Sequence, residues 1–200
     1  NEVEEWKTLN TSATWTGLTV KMNASKIKAP ETITITVKAW EINGNGNEIT
    51  CKTLGVAKGQ SIVIPAGADA TIKAAVTGAV VANGNLKVGN VSSTLTVADG
   101  VVVEAGSVKG AATIGAGAVV TAGGFAGGVK IEDGATVTVT GAIAKGLTID
   151  EGADVAVEGK VTGDNKNPIV VGAGATLEVK GDVSNTKGVN IGALATVAVT

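Results

Sequence analysis

Apolar and polar or small residues alternate one by one over short stretches of this chain, as in Thr136-Val137-Thr138-Val139-Thr140, Asp154-Val155-Ala156-Val157-Glu158, Thr176-Leu177-Glu178-Val179-Lys180 and Thr196-Val197-Ala198-Val199-Thr200. Period-two alternation puts Val137 and Val139 on one face and the threonines on the other, which predicts strands with one buried face. Glycine follows at once as Gly141, Gly159 and Gly181. A corner without a β-carbon is expected there to take a positive φ.

The alternation is nested in a longer period. An aliphatic residue with a glycine three positions on returns along the chain, at Ile64, Val81, Val97, Ile114, Ile131, Ile149 and Val171, and an eighth copy at Ile191 carries Leu194 in place of the glycine. The steps between these anchors are 17, 16, 17, 17, 18, 22 and 20 residues. Such spacing marks a solenoid in which one turn stacks on the next. A further aliphatic residue twelve positions after the anchor, as Val76, Ile143, Val161 and Val183, gives each turn three short sides. The predicted fold is therefore all-β, a parallel β-helix of about eight three-sided coils over residues 61–200, stacked at about 4.8 Å into a rod of roughly 38 Å. Paired aliphatics on its sides favour a right-handed coil. A helical fold is excluded by 29 glycines and by the abundance of β-branched residues.

Residues 1–60 do not carry the repeat. They hold Trp6, Trp15 and Trp40 and alternate over Trp15–Met22 and Ile33–Trp40, so they are expected to form a β-strand cap over the first coil. With one Phe and no Tyr, the coils have a core of Val, Ile, Leu and Ala, and a thin interior is expected to leave no room for rings. Starting at Asn1, the chain reads as a mature product or an excised fragment, and it contains no signal peptide or membrane-length apolar run.

Composition narrows the chemistry. Histidine is absent, which removes His-based triads, His-ligated zinc and imidazole general bases. Cys51 stands alone and reads as a small buried hydrophobe. A net charge of −2 without a single arginine argues against a nucleic-acid partner. Charged residues are scattered and no aromatic stripe exists to stack sugars, so no enzyme activity, catalytic residue or cofactor is expected.

Stacked acidic pairs are the one metal candidate. Glu132-Asp133 falls one coil below Asp150-Glu151, where a Ca²⁺ taking carboxylate oxygens would relieve their repulsion, but the pattern stops in the next coil at Gly172-Ala173 and a solvated corner accounts for it better. Sequons occur at Asn10, Asn23 and Asn90, a number close to chance.

The phrase Ile114-Gly115-Ala116-Gly117-Ala118-Val119-Val120 resembles the hexapeptide repeat of left-handed β-helix acyltransferases in coil geometry, but their catalytic histidine has no counterpart here. Turns of 16 to 22 residues with phrases such as Gly174-Ala175-Thr176-Leu177-Glu178-Val179 resemble secreted β-helix adhesins, including autotransporter passengers, and the polymer-forming bactofilins. The resemblance covers residues 64–200 and implies an architecture and a secreted or cell-surface setting. It implies no catalytic residue.

Two functional expectations follow. The chain stops at Val197-Ala198-Val199-Thr200, short of a full coil, and an uncovered β-edge is expected to pair with another chain. In the first reading a structural protein joins head to tail into a homopolymer, a filament or surface layer. A strand with Trp15, Leu18 and Val20 as anchors then completes the coil at Ile191, Leu194, Val197 and Val199 of the next subunit. In the second, an adhesin stalk meets a host or glycan ligand through two insertions at one corner, 163–168 with Asp164, Asn165, Lys166 and Asn167, and 184–188 with Asn185 and Lys187.

Overall fold

The computed structural model describes residues 61–186 and 188–200, residue 59, and the strand segments 2–3, 19–22, 26–28, 32–35, 39–42 and 45–56; side chains are described for 53–56, 59 and from 61 onward except 187. Every described element is a strand, and every pairing between strands is parallel. Two eleven-stranded ladders run along the molecule. From Ser61–Ile64 to Val189–Ile191, the first ladder takes one short strand per turn; from Asp69–Val76 to Thr196–Val199, the second does the same. Eight turns of a β-solenoid result.

The third side is a line of single bridges. Val76 pairs with Val91, Val91 with Val108, Phe125 with Ile143 and Ile143 with Val161; strand Val161–Gly163 then pairs with Val183–Asn185. Val108 and Phe125 are partners at the end of the second ladder, so the column is unbroken from Val76 to Val183. The residue twelve positions after the anchor is in this third column at Val76, Ile143, Val161 and Val183, as the spacing predicts, but in the turns between them the column passes through Val91, Val108 and Phe125, which come sooner after their anchors.

Inward residues of the three sides make one continuous core, with Ile62, Ile64, Val76, Leu95, Ile114, Ile131, Val139 and Leu177 among its fully buried members. The register differs from the sequence reading in one turn. Ala82, not Val81, continues the anchor column between Ile64 and Val97, while Val81 pairs with Val63 and Thr96 on the outward face. That turn has a short corner of two residues, 83–84, where the turn before it has four, 65–68. Gly84 fits there because a β-carbon would lie 2.4 Å from the Pro65 carbonyl oxygen.

Two classes of corner account for many of the glycines. Between the first and second sides, Gly67, Gly100, Gly117, Gly134, Gly152 and Gly174 hold φ between 63° and 76°. In most of these corners the residue after the glycine donates its N–H to the carbonyl three residues back, as Ala135 does to Glu132 at 3.2 Å. This is the type II geometry that demands a positive φ. Successive corners are bonded to one another, since Gly117 N–H reaches the Asp133 carbonyl and Gly134 N–H the Glu151 carbonyl, at 2.9 and 3.0 Å.

Gly141, Gly159 and Gly181 differ from expectation, because none of them has a positive φ. They stack directly on one another at the corner between the second and third sides. A β-carbon on Gly141 would stand 2.3 Å from the Gly123 oxygen, and one on Gly159 would stand 2.6 Å from the Gly141 oxygen. Close approach of backbone, not handedness of the residue, selects glycine here.

The interior also admits a ring. Phe125 is buried in the third column, against the expectation that coils exclude aromatics. Its turn makes the space with small inward residues: Ala112 and Ala122 occupy the positions that Val129 and Val139 fill one turn later. Volume is conserved within the layer, as close packing requires.

The described N-terminal strands enter the same ladders. Thr19–Met22 pairs with Glu2–Val3 on one side and Ala39–Ile42 on the other, and Ala39–Ile42 pairs with Ser61–Ile64. Lys26–Lys28 and Thr32–Ile35 both pair with Asn45–Val56, which lies beside Asp69–Val76. Cys51 belongs to that long strand, and its side chain lies outside the described ones.

Candidate functional site

Two regions depart from the regular coil. The first is the coil at 189–199. Val189–Ile191 and Thr196–Val199 each pair with one neighbour only, Ile169–Val171 and Thr176–Val179. Ile191 is 55 % exposed, Leu194 95 % and Val199 55 %, where the corresponding Val171 and Val179 one turn earlier are buried; Val197 is half-buried. Ile191, Val197 and Val199 continue the inward columns, Leu194 stands at the corner, and among the described residues no strand lies beyond this coil. Of the proposed complementary anchors, Val20 lies in a strand that is already paired on both sides within the chain. Trp15 and Leu18 lie outside the described residues.

The second region is the corner carrying the two insertions. Asp164 closes the first of them: its Oδ1 accepts the N–H groups of Lys166 at 2.7 Å and Asn167 at 2.8 Å, and its own N–H donates to the Asn167 carbonyl. These bonds hold its carboxyl below the usual carboxylate range, with the N–H of Asn167 the leading cause. In the second insertion Asn185 Nδ2 donates to the Gly188 carbonyl at 2.7 Å. The loops touch each other as the coincident corners predict, through a 3.1 Å hydrogen bond between Thr186 Oγ1 and Asn165 Oδ1. Lys187 lies outside the described residues.

Beside these loops runs a groove of about 310 Å³ on the first side. Its floor holds Thr113, Lys130 and Thr148, outward residues of three successive turns, and Lys145 and the 166–168 loop form its rim. The loop lies directly on a glycine corner, since a β-carbon on Gly146 would come within 2.6 Å of Asn167. Composition and repeat spacing give no sign of this groove, because it depends on which side the insertion leans toward.

The stacked acids are held by a lysine. Lys130 Nζ lies 3.1 Å from Glu132 Oε1 and 3.3 Å from Asp150 Oδ2, bridging two turns. The other pair is separated by role: Asp133 Oδ1 accepts the N–H of Glu151 at 3.2 Å. Among the described residues no three carboxylates or thiolates converge as a metal set. Lys130 thus places one positive charge between Glu132 and Asp150.

Asp133 exemplifies a device that strand patterns do not reveal. Asn85, Asn90 and Asp99 likewise extend a side-chain oxygen to the N–H of Val102, Ser107 and Ala116 in the next turn, at 3.1, 2.9 and 3.0 Å. Where a corner leaves an N–H without a carbonyl above it, a short Asn or Asp takes over. The sequon residue Asn90 is thus part of the ladder; Asn10 and Asn23 lie outside the described residues.

Searches against protein-family models, curated proteins and solved structures gave no match. The β-solenoid architecture thus rests on the chain's own pairing. None of its described elements is a helix long and apolar enough to cross a membrane.

Proposed function

We propose that this chain is a structural protein of a secreted or cell-surface assembly, joining head to tail into a filament or layer. The observation that supports this reading is the end face at 189–199. Its two strands keep the parallel register of the ladders, and Ile191, Val197 and Val199 continue the inward columns that a further coil would cover. The occupant we assign is the N-terminal end of a second copy, because residues 1–60 contribute parallel strands to the same two ladders. An interface between unlike ends does not close on itself and therefore propagates. Main-chain bonds would supply affinity and the aliphatic columns the register.

Negative-stain electron microscopy and sedimentation of the 200-residue chain test this. Fibres of even width are expected, and the paired substitution Val197→Lys with Val199→Lys should disperse them. A wild-type chain that stays monomeric across concentration overturns the reading.

A second reading is favoured by the hydrogen bond between Asn165 and Thr186, which joins the two insertions into one surface. In it the rod is a stalk, and these loops meet a glycan ligand on a host or neighbouring surface. Substitutions in the loops would then abolish binding while leaving the coil intact.

A further inference from the structure

We propose that the groove beside the 163–168 loop binds an anionic polysaccharide, with Lys145 and Lys166 meeting its carboxylate or sulfate groups. This deepens the second functional reading and rests on it, since it assigns the ligand class and moves the contact from the loop tips to the groove they overhang.

Charge is the first argument. Lys130, Lys145 and Lys166 all line the groove, and none of its lining residues is an aspartate or glutamate. Lys130 is committed to Glu132 and Asp150. Lys145 and Lys166 are exposed and enter no ion pair among the described residues. Asp164 is the carboxylate whose charge is coupled to Lys145, but its Oδ1 is taken up by the N–H groups of its own loop. Two lysines thus line one opening, and neither ammonium group has an ion-pair or hydrogen-bond partner among the described residues.

Shape is the second. The lining spans four successive turns, from Ala111 to Pro168, so the groove runs along the rod for about 14 Å at the usual inter-strand spacing. That extent suits a segment of a polymer better than a single ion. Its volume of about 310 Å³ lies at the lower end of small-ligand sites. Gly128 and Gly146 keep the wall low, because a side chain on Gly146 would displace Asn167 and close the space.

The third argument concerns what the lining lacks. It contains no aromatic ring, so a neutral sugar has nothing to stack on. Recognition must come from charge, from the Thr113 and Thr148 hydroxyls and from backbone. A sugar polymer carrying acid groups at regular intervals fits that set.

The test is titration of the full chain, followed by NMR chemical shifts and calorimetry. The probes are oligogalacturonate, a chondroitin sulfate oligosaccharide, polyphosphate and a neutral malto-oligosaccharide. Saturable binding of one or both acidic sugars is expected, with shifts at Thr113, Thr148 and Gly146, and the two acidic arms separate carboxylate from sulfate recognition. The double variant Lys145→Gln, Lys166→Gln should bind about tenfold more weakly or worse, since charge-assisted contacts to two groups are lost. Equal binding of the neutral sugar, tightest binding of polyphosphate, or an unaltered double variant would each overturn the proposal. Loss of binding in Asn165→Ala, Thr186→Ala with the lysine variant unaffected would overturn the groove while leaving the loop reading in place. Absence of binding to any probe overturns both.

Discussion

Leu194 holds a φ of 59° at the corner where Gly174, one turn earlier, holds 63°. The two corners are bonded, Gly174 N–H donating to the Ala193 carbonyl at 2.9 Å. The stack below therefore imposes on a leucine a conformation that costs a non-glycine residue about 1–2 kcal/mol. Leu194 recovers nothing by burial, since it is 95 % exposed. Leu194→Gly should stabilise the 189–199 coil by about 1 kcal/mol, less the entropy that glycine adds to the unfolded chain. Hydrogen exchange of that coil is the direct measurement. If the end face is an assembly surface, the same substitution should weaken fibres while strengthening the fold.

Asparagine should separate the two classes of glycine corner. Gly152 has a φ of 64° and open space where its β-carbon would be, whereas Gly159 lacks a positive φ and faces the Gly141 backbone at 2.6 Å. Asn tolerates the left-handed region, so Gly152→Asn is expected to cost well under about 1 kcal/mol. Gly159→Asn, and equally Gly159→Ala, must push two turns apart, at about 1–3 kcal/mol as overpacking does. Urea denaturation of the three variants gives the comparison. Similar losses at both corners would refute the distinction.

The ring at Phe125 gives a test of layer volume. Phe125→Ala should cost about 3–5 kcal/mol. Ala122→Val should also destabilise, by about 1–3 kcal/mol through overpacking of the turn that houses the ring. Together, Phe125→Leu and Ala122→Val shift the turn toward the composition of the next one, where Ile143 and Val139 stand at these positions. The double substitution is expected to cost less than the sum of the singles, and a double-mutant cycle in denaturant measures this coupling. Strict additivity would mean that the two positions do not share one volume.

Legibility in the sequence follows the kind of interaction. Columns repeated every turn, such as Val97, Ile114, Ile131 and Ile149, leave a period that spacing alone reveals, and the three sides and the coincident insertions followed from it. What was missed depends on single contacts between turns. Whether Val81 or Ala82 faces inward turns on one short corner, because a one-residue slip exchanges the faces of a strand. The glycines at 141, 159 and 181 look like turn glycines in sequence, and only the stacked backbone shows that proximity selects them. The groove beside Lys145 has no motif, since its lysines come from a strand, a corner and a loop of three different turns.

The bridge from Lys130 to Glu132 and Asp150 carries a pH signature that isolates it. Lys130 has its pKa raised above the usual 10.5, chiefly by the hydrogen bond to Glu132, then by that to Asp150 and by the charges of both. A lysine whose folded value is raised contributes stability that is fully present below its unfolded pKa and is lost as pH climbs through the folded one. The wild-type melting temperature should therefore fall more steeply above about pH 10.5 than that of Lys130→Met. Lys180, raised in the same direction by Glu158, stays in both proteins and cancels in the comparison. The difference is expected to be small and to shrink with added salt, because the bridge is solvent-exposed. Near neutral pH the methionine variant should instead show the bare repulsion between Glu132 and Asp150 as a small destabilisation that added salt reduces. Parallel alkaline profiles would show that the acids are held apart by the backbone stack alone.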